Sequence, residues 1–198
     1  MVREDHILKE IKMKKIFAIL ALALTGTAFA ADYVSVDVDS VNNTSGVKGA
    51  KDSTAQYVRA GKGFGNYQLD LQSRTATIDG GGLLNSLEVT AANNRIKIAG
   101  LTPFVGVGHD NGFNGAAKAG YNYGLVGATA GTKIGSGFAL AGIKTRVGST
   151  ETVATKQTVA FATYSLPIAK KVTLNFNASK SYQNIKENAF GLGIGFNF

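Results

Sequence analysis

The last ten residues, AFGLGIGFNF (Ala189–Phe198), alternate between large apolar and small or polar side chains. Successive side chains of a strand point to opposite faces, so this period of two predicts a β-strand with one apolar face and one nearly bare face. Glycine is a poor residue for a water-exposed strand face, because it costs conformational entropy and packs against nothing. The segment therefore fits a buried strand that another element approaches closely, or a membrane barrel with lipid outside and a crowded interior.

The position of this strand at the chain terminus favours the barrel. Terminal residues normally fray, so a terminal strand this apolar needs something to hold it. A closed barrel does so, because its last strand pairs with its first and no edge remains.

The beginning of the chain has the layout of a secretory signal peptide. A basic Met13-Lys14-Lys15 is followed by the apolar stretch IFAILALAL and by small residues at Ala28 and Ala30. This is a cleavage pattern, and the apolar stretch is too short for a spanning helix, which needs about 20 residues. The alternative is an amphipathic helix of a soluble protein. We divide the chain into a mis-assigned N-terminal extension (1–12), a signal peptide cleaved after Ala30 (13–30) and a barrel domain (31–198).

Composition supports an exported β protein. The chain has 25 Gly but only 2 Pro, and it has no Cys, so no disulfide staples the fold. Its 21 Lys and Arg residues exceed its 13 Asp and Glu residues, and this positive balance favours phosphate-rich surfaces, including lipopolysaccharide. We expect no nucleic-acid partner, because the basic residues are scattered and the chain is exported.

Ten segments show strand patterning, and no segment after the signal peptide is long enough for a spanning helix. Connections after the odd-numbered segments tend to be longer and more polar than the others, as in an outer-membrane barrel with both termini on the short-turn side. That arrangement requires an even strand number. Eight strands remain an alternative if the segments around 83–104 merge. The ten predicted strands are 33–41, 55–64, 67–76, 83–92, 104–109, 121–131, 138–147, 156–166, 172–179 and 189–198.

With this signal peptide, these strands and the terminal GFNF, the chain resembles the small Gram-negative outer-membrane β-barrel proteins. The resemblance implies an all-β fold, a closed antiparallel transmembrane barrel in the outer membrane. It also implies contact with outer-membrane lipid and lipopolysaccharide, and insertion by the barrel-assembly machinery, with Phe196 and Phe198 as the assembly signal. We expect a monomer without cofactor or metal. The family includes inert anchors, pores, adhesins and enzymes, so the fold does not fix the activity.

Charged residues on the polar strand faces are candidates for the barrel lumen. Opposite charges there should pair, because an unpaired charge away from bulk water is costly. They are either a pore lining that tunes ion selectivity or a plug of salt bridges that fills the barrel. The candidates are Asp37, Asp39, Arg59, Asp70, Arg74, Glu88, Lys144 and Arg146.

The predicted function is porin-like passage of small solutes or a structural and surface role, without catalysis. One alternative is a lipid A- or peptide-modifying enzyme at the barrel rim. Its only candidate is His109 beside Asp110, but adjacent strand residues point to opposite faces. A second alternative is a soluble periplasmic barrel that binds an apolar ligand. Six aromatic residues are candidates for interfacial girdles: Tyr57, Tyr67, Tyr121, Tyr123, Tyr164 and Phe198.

Overall fold

The structure, a computed structural model, describes residues 32–44, 52–78, 82–111, 120–149, 154–183 and 186–198. The predicted extension (1–12), the signal peptide (13–30) and its cleavage residues Ala28 and Ala30 lie outside the described residues. Those assignments stay predictions. Among the described residues, no helix is long and apolar enough to cross a membrane.

Ten antiparallel strands close into one barrel. Each strand pairs with the next along the chain, and β1 pairs with β10 from Tyr33 opposite Asn197 to Asn43 opposite Glu187. The predicted closed ten-stranded barrel is therefore confirmed, and the eight-stranded alternative is wrong. The strands are β1 (Tyr33–Asn43), β2 (Ser53–Phe64), β3 (Tyr67–Ile78), β4 (Gly82–Asn93), β5 (Thr102–Asn111), β6 (Tyr121–Ile134), β7 (Gly137–Ser149), β8 (Ala154–Ala169), β9 (Val172–Gln183) and β10 (Glu187–Asn197).

The region that made the strand number uncertain contains two strands. Chain 94–101 connects β4 to β5 through two turns, with a single bridge between Ile98 and Leu101. Ala99 and Gly100 have positive φ in the second turn. This extra length is why the segment did not show the two-residue turn signal of the other connections at this end.

Most strands extend beyond the predicted limits at the end away from the termini. The connections after β3, β7 and β9 comprise only 79–81, 150–153 and 184–186, whereas those after β1 and β5 comprise 44–52 and 112–120. The loop predicted between the strands 172–179 and 189–198 is therefore wrong in its length, because β9 continues to Gln183 and β10 begins at Glu187. Polar sequence does not mark a loop here, because neighbouring strands satisfy the backbone hydrogen bonds whatever the side chains are.

The turns at the terminus end follow glycine chemistry. Gly65 and Gly135 have φ of 61° and 59° in two-residue turns, and glycine adopts this conformation without steric cost. The sequence predicts that the eighth strand ends at residue 166, before Pro167. In the structure β8 continues to Ala169, with a register shift between Pro167 and Ala169. Proline is tolerated at such an irregularity because the ladder is already interrupted there.

Large apolar side chains cover the outer wall of the barrel. Val38 is 47% exposed and Leu192 is 56% exposed, although both are apolar. Asp37 and Asp39, the residues before and after Val38 in β1, point inward and are buried. Lipid contact explains this inside-out arrangement, because a water-soluble protein of this size rarely exposes so continuous an apolar surface.

Only some of the tyrosines expected in girdles face outward. Tyr67 is 58% exposed on the outer wall, and Tyr164 lies 6.4 Å from Phe176 between ring centroids. Tyr57 and Tyr123 lie on the inner face, where each contacts an arginine. Whether a tyrosine faces the lumen or the outer wall depends on its position in the alternation of its strand, and residue type alone does not give that position.

We expect Leu192→Arg to reduce the free energy of folding into a bilayer by about 2–4 kcal/mol, because this outer-wall position meets hydrocarbon. Asn188→Arg is the control, since it lies on the same face of β10 nearer the polar end and should cost about 0–1 kcal/mol. Urea titration of folding into lipid vesicles measures both. Equal costs would contradict the placement of this wall in lipid.

Candidate functional site

A cavity of about 990 Å³ occupies the barrel interior and is lined by residues from all ten strands. Its lining includes Tyr33 and Val41 near the two ends of β1, and Asn197 and Glu187 at the two ends of β10. The cavity therefore follows most of the length of the barrel.

All eight charged residues singled out from the sequence line this cavity. Most of their bonds fall into two clusters. One joins β1, β2 and β9 around Asp37, and the other joins β4, β6 and β7 around Glu88.

The first cluster surrounds the carboxylate of Asp37, which is fully buried. Arg59 Nη1 donates to Asp37 Oδ2 in a salt bridge, and Ser35 Oγ donates to the same oxygen at 3.0 Å. Asn177 Nδ2 donates to Oδ1 at 2.9 Å from β9, on the far side of β10. Asn175 Nδ2 lies 3.5 Å from Oδ1. Both carboxylate oxygens are thus satisfied, as a buried charge requires.

The glycines of β10 make this cluster possible. Gly193 pairs with Asp37, and Gly191 pairs with Asp39. A Cβ at Gly193 would lie 2.0 Å from Asp37 Oδ1, and one at Gly191 would lie 1.9 Å from Asp39 Oδ1. The two carboxylates therefore lie directly over the β10 backbone. These carboxylates occupy the space left by the missing side chains.

The second cluster surrounds the carboxylate of Glu88, which is 4% exposed. Lys144 Nζ donates to Oε1, while Arg146 donates to Oε2 from Nε at 3.0 Å and from Nη2 at 2.7 Å. Tyr123 Oη lies 3.3 Å from Oε2, and Arg146 also reaches Gln157 Oε1 at 3.2 Å. Two cations share one carboxylate, so this cluster carries an excess positive charge.

Glycine also lets the second cluster lie against the wall. Gly108 on β5 pairs with Tyr123 on β6, and a Cβ at Gly108 would lie 2.3 Å from the Tyr123 ring. The ring consequently packs flat on the backbone beneath the Glu88 salt bridges. In the closed strand order, β1 and β2 lie across the barrel from β6 and β7, so the two clusters lie on opposite walls.

Three of the eight residues lie outside these clusters. Asp70 accepts hydrogen bonds from Tyr33 Oη at 2.8 Å and Gln68 Nε2 at 2.9 Å. In the described part of the chain, Asp39 Oδ1 and Arg74 Nε are buried side-chain atoms without a hydrogen-bond partner. Each side chain has other contacts, since Asp39 packs on Gly191 and Arg74 Cζ lies 5.9 Å from the centroid of the Tyr57 ring.

Sequence reasoning missed the neutral partners of these charges. Alternation on β9 already places Asn175 and Asn177 on one face, and they hold Asp37 from a strand distant in sequence. Gln72 accepts a hydrogen bond from Arg59 Nε at 3.0 Å. Asp110, assigned to a loop from the sequence, is the inward-facing residue before the end of β5. Strand parity was the available signal for all of them.

The candidate catalytic pair does not form. His109 is exposed on the outer face, with Nδ1 2.8 Å from Asn122 Oδ1 and Nε2 2.7 Å from Asn111 Oδ1. Asp110 is the next residue of the same strand and points to the opposite face. Within the described ranges, no group of three or more His, Cys, Asp or Glu residues is arranged to hold a metal ion.

The two residues of the expected assembly signal lie at the terminus end. Phe196 pairs with Val34 and with Val172 on its two sides. Phe198 is 61% exposed, and its backbone N–H donates to Asp32 O at 3.1 Å. Their role in assembly stays a prediction.

Comparison with solved structures finds small outer-membrane barrels. Neisserial surface protein A has 11% sequence identity and a TM-score of 0.43, with 84% of this chain and 96% of that chain covered. The translocator domain of the autotransporter NalP from Neisseria meningitidis has 13% identity and a TM-score of 0.48, with 98% of each chain covered. The KdgM porin has 10% identity and a TM-score of 0.44, with 83% and 99% covered. No protein-family model and no curated protein matches the chain.

These similarities concern architecture. The predicted resemblance to small Gram-negative outer-membrane β-barrels is confirmed in the fold, which the strand pairing of this chain establishes by itself. Identities of 10–13% do not carry an activity from those proteins to this one.

We expect Gly193→Ala to lower the free energy of unfolding by about 1–3 kcal/mol, because the new methyl group meets the Asp37 carboxylate and the Val36 carbonyl. Gly124→Ala is the matched control, since nothing lies within 4 Å of a Cβ there, and its effect should stay within about 0.5 kcal/mol. Urea-induced unfolding in vesicles gives both values. A similar stability for the two variants would show that Asp37 does not lie on the β10 backbone.

Proposed function

We propose that the chain is an outer-membrane barrel whose interior passes small polar solutes and ions. The observation that carries the proposal is the charge-lined cavity that follows most of the barrel length. We infer the outer-membrane location from the combination of a closed barrel, an apolar outer wall and a polar interior. The same combination disfavours a soluble barrel around an apolar ligand, which would place its apolar side chains inside.

The dimensions of the cavity limit what can pass. Eleven residues of β1, rising about 3.4 Å each at a tilt of about 40°, give a barrel height of roughly 28 Å. A volume of about 990 Å³ spread over this height has a mean cross-section of about 35 Å², so the proposed passage is narrow. Water and small ions fit this passage, whereas bulky oligosaccharides do not.

The balance of charge predicts weak selectivity. Among the described residues, six acidic residues (Asp32, Asp37, Asp39, Asp70, Glu88 and Glu187) and six basic residues (Arg59, Arg74, Lys97, Lys133, Lys144 and Arg146) line the cavity. Because the numbers are equal, neither cations nor anions are strongly favoured over the whole length. The excess positive charge around Glu88 is local.

Single-channel recording in a planar bilayer tests the proposal. The purified full chain should give small, discrete conductance steps in KCl, because the passage is narrow and holds fixed charges. A folded barrel without conductance steps would contradict passage and favour the structural and surface role, in which the salt bridges plug the lumen. Heat-modifiable gel mobility establishes that the sample is folded.

We expect Glu88→Gln to make the passage anion-selective, because it leaves Lys144 and Arg146 without their shared carboxylate. In a KCl gradient the reversal potential should move toward the chloride equilibrium potential. Asp52→Asn is the control with the same change in charge, since Asp52 lies outside the cavity lining and should leave the potential unchanged. Equal potentials for Glu88→Gln and the unmodified chain would show that ions do not pass this cluster.

We also propose that the rim is not catalytic, because within the described residues the two ring nitrogens of His109 contact the amide oxygens of Asn122 and Asn111 and not a carboxylate. His109→Ala should leave the lipid A and outer-membrane peptide profiles of expressing cells unchanged, as measured by mass spectrometry. Cells without the protein provide the reference. A modified lipid or peptide that is present with the unmodified chain and absent with His109→Ala would establish an enzyme instead.

A further inference from the structure

Three lysines lie on the outer wall at the ends of three neighbouring strands, β8, β9 and β10, on the side of the barrel opposite the termini. Lys156 is on β8, Lys180 is on β9, and Lys186 directly precedes β10. All three are exposed. We call them the lysine patch.

Strand register places the three side chains on one face. Tyr182 pairs with Thr158, two residues after Lys156. Lys180 pairs with Asn188, two residues after Lys186.

Lys186 continues the outward face of β10. The Thr44 N–H donates to Lys186 O at 2.8 Å, so the pairing of β1 with β10 extends to Lys186. Residues two apart along a strand share a face. Lys186 therefore points outward with Asn188, just as Lys156 points outward with Thr158.

Tyr182 lies at the centre of the lysine patch. Its side chain is 43% exposed, and Lys180 Nζ lies 5.6 Å from its ring centroid. Directly opposed side chains in a sheet have Cβ atoms about 5 Å apart, and diagonal neighbours lie about 7–8 Å apart. Long lysine side chains at these spacings can reach one common anion beside the tyrosine ring.

The charge of the lysine patch is not neutralised within the described residues. None of its three lysines forms a salt bridge there, and the neighbouring outward residues Thr158 and Asn188 are uncharged. At the opposite end of the barrel, by contrast, Lys62 Nζ lies 2.7 Å from Asp32 Oδ1. Three neighbouring cations without a counter-charge favour an external anion.

The position of the lysine patch on the outer wall indicates which kind of anion it binds. Phe190 and Phe176 lie on the same outer wall, on the membrane-centre side of the lysines, and are 63% and 42% exposed. Acyl chains would pack on these aromatic rings while phosphates reach the lysine ammonium groups, whose aliphatic stems lie along the wall. A ligand with both parts is a phosphorylated lipid.

We propose that the lysine patch binds the phosphate groups of a lipopolysaccharide-type glycolipid in the outer leaflet. Short turns of outer-membrane barrels face the periplasm, so the patch lies at the outward-facing end. The inference rests on the proposed outer-membrane location but not on solute passage. Phosphate contributes several acceptor oxygens, and each lysine can donate to one of them.

Binding of fluorescently labelled bisphosphorylated lipid A to the folded full chain in detergent micelles tests this proposal. Fluorescence anisotropy should show binding that weakens with added NaCl. Replacing all three residues (Lys156→Gln, Lys180→Gln and Lys186→Gln) should weaken it at least tenfold.

The matched control removes the same charge from the other end of the barrel. Arg95→Gln, Lys170→Gln and Lys171→Gln change three exposed residues of the terminus-end turns, and together they should change affinity less than twofold. Equal weakening by both triple variants would overturn the proposal, since it would indicate attraction by net charge alone. Unchanged affinity of the lysine-patch variant would overturn it as well.

Two further probes identify the source of the anion. Dephosphorylated lipid A should bind at least tenfold more weakly, and equal binding would overturn the role of phosphate. Inorganic phosphate at the same concentration should not displace labelled lipid A, and efficient displacement would indicate a free-phosphate site instead. Conductance in a planar bilayer is a separate measurement, so failure of glycolipid binding is distinguishable from failure of solute passage.

Discussion

The pairing of β1 with β10 is the constraint on which the rest of this structure depends. Eleven residue pairs, from Tyr33 opposite Asn197 to Asn43 opposite Glu187, close the sheet and leave no edge. In hydrocarbon every unsatisfied backbone group costs several kcal/mol, so an open sheet could not keep the same apolar face in lipid. Asp37 reinforces this closure, because it lies over β10 and accepts a hydrogen bond from Asn177 on the next strand.

Glycine and carboxylate form one structural unit at this seam. Gly191 and Gly193 have no side chain to pack, yet their bare backbone is what the carboxylates of Asp39 and Asp37 lie upon. The same relation holds on the opposite wall, where the Tyr123 ring covers Gly108 beside Glu88. A ten-stranded barrel has a narrow interior, and glycines on the paired strands leave room there for the carboxylates of Asp37, Asp39 and Glu88. The lumen stays partly open because its polar groups lie against the wall.

This arrangement connects the stability of the barrel to its proposed function. Buried ion pairs tolerate a low-dielectric environment only when their hydrogen bonds are complete, and Asp37 and Glu88 meet that condition through neutral as well as charged partners. Charges held in this way are fixed in position. In the proposed passage, such fixed charges would act on every ion that enters, whereas the three lysines of the lysine patch are exposed on the outer wall.

The sequence by itself determined the strand period, the even number of strands and the inward face of eight charged residues, because alternation along a strand has only two phases. On that basis Asp37, Glu88 and Arg146 were assigned to the polar face, and all three line the cavity. The tertiary structure alone decided their partners, since Glu88 meets Lys144 and Arg146 across two intervening strands. It also decided what the β10 glycines do. Curvature and stagger bring residues such as Asp37 and Asn177 together, and these are properties of the closed barrel that no local pattern records.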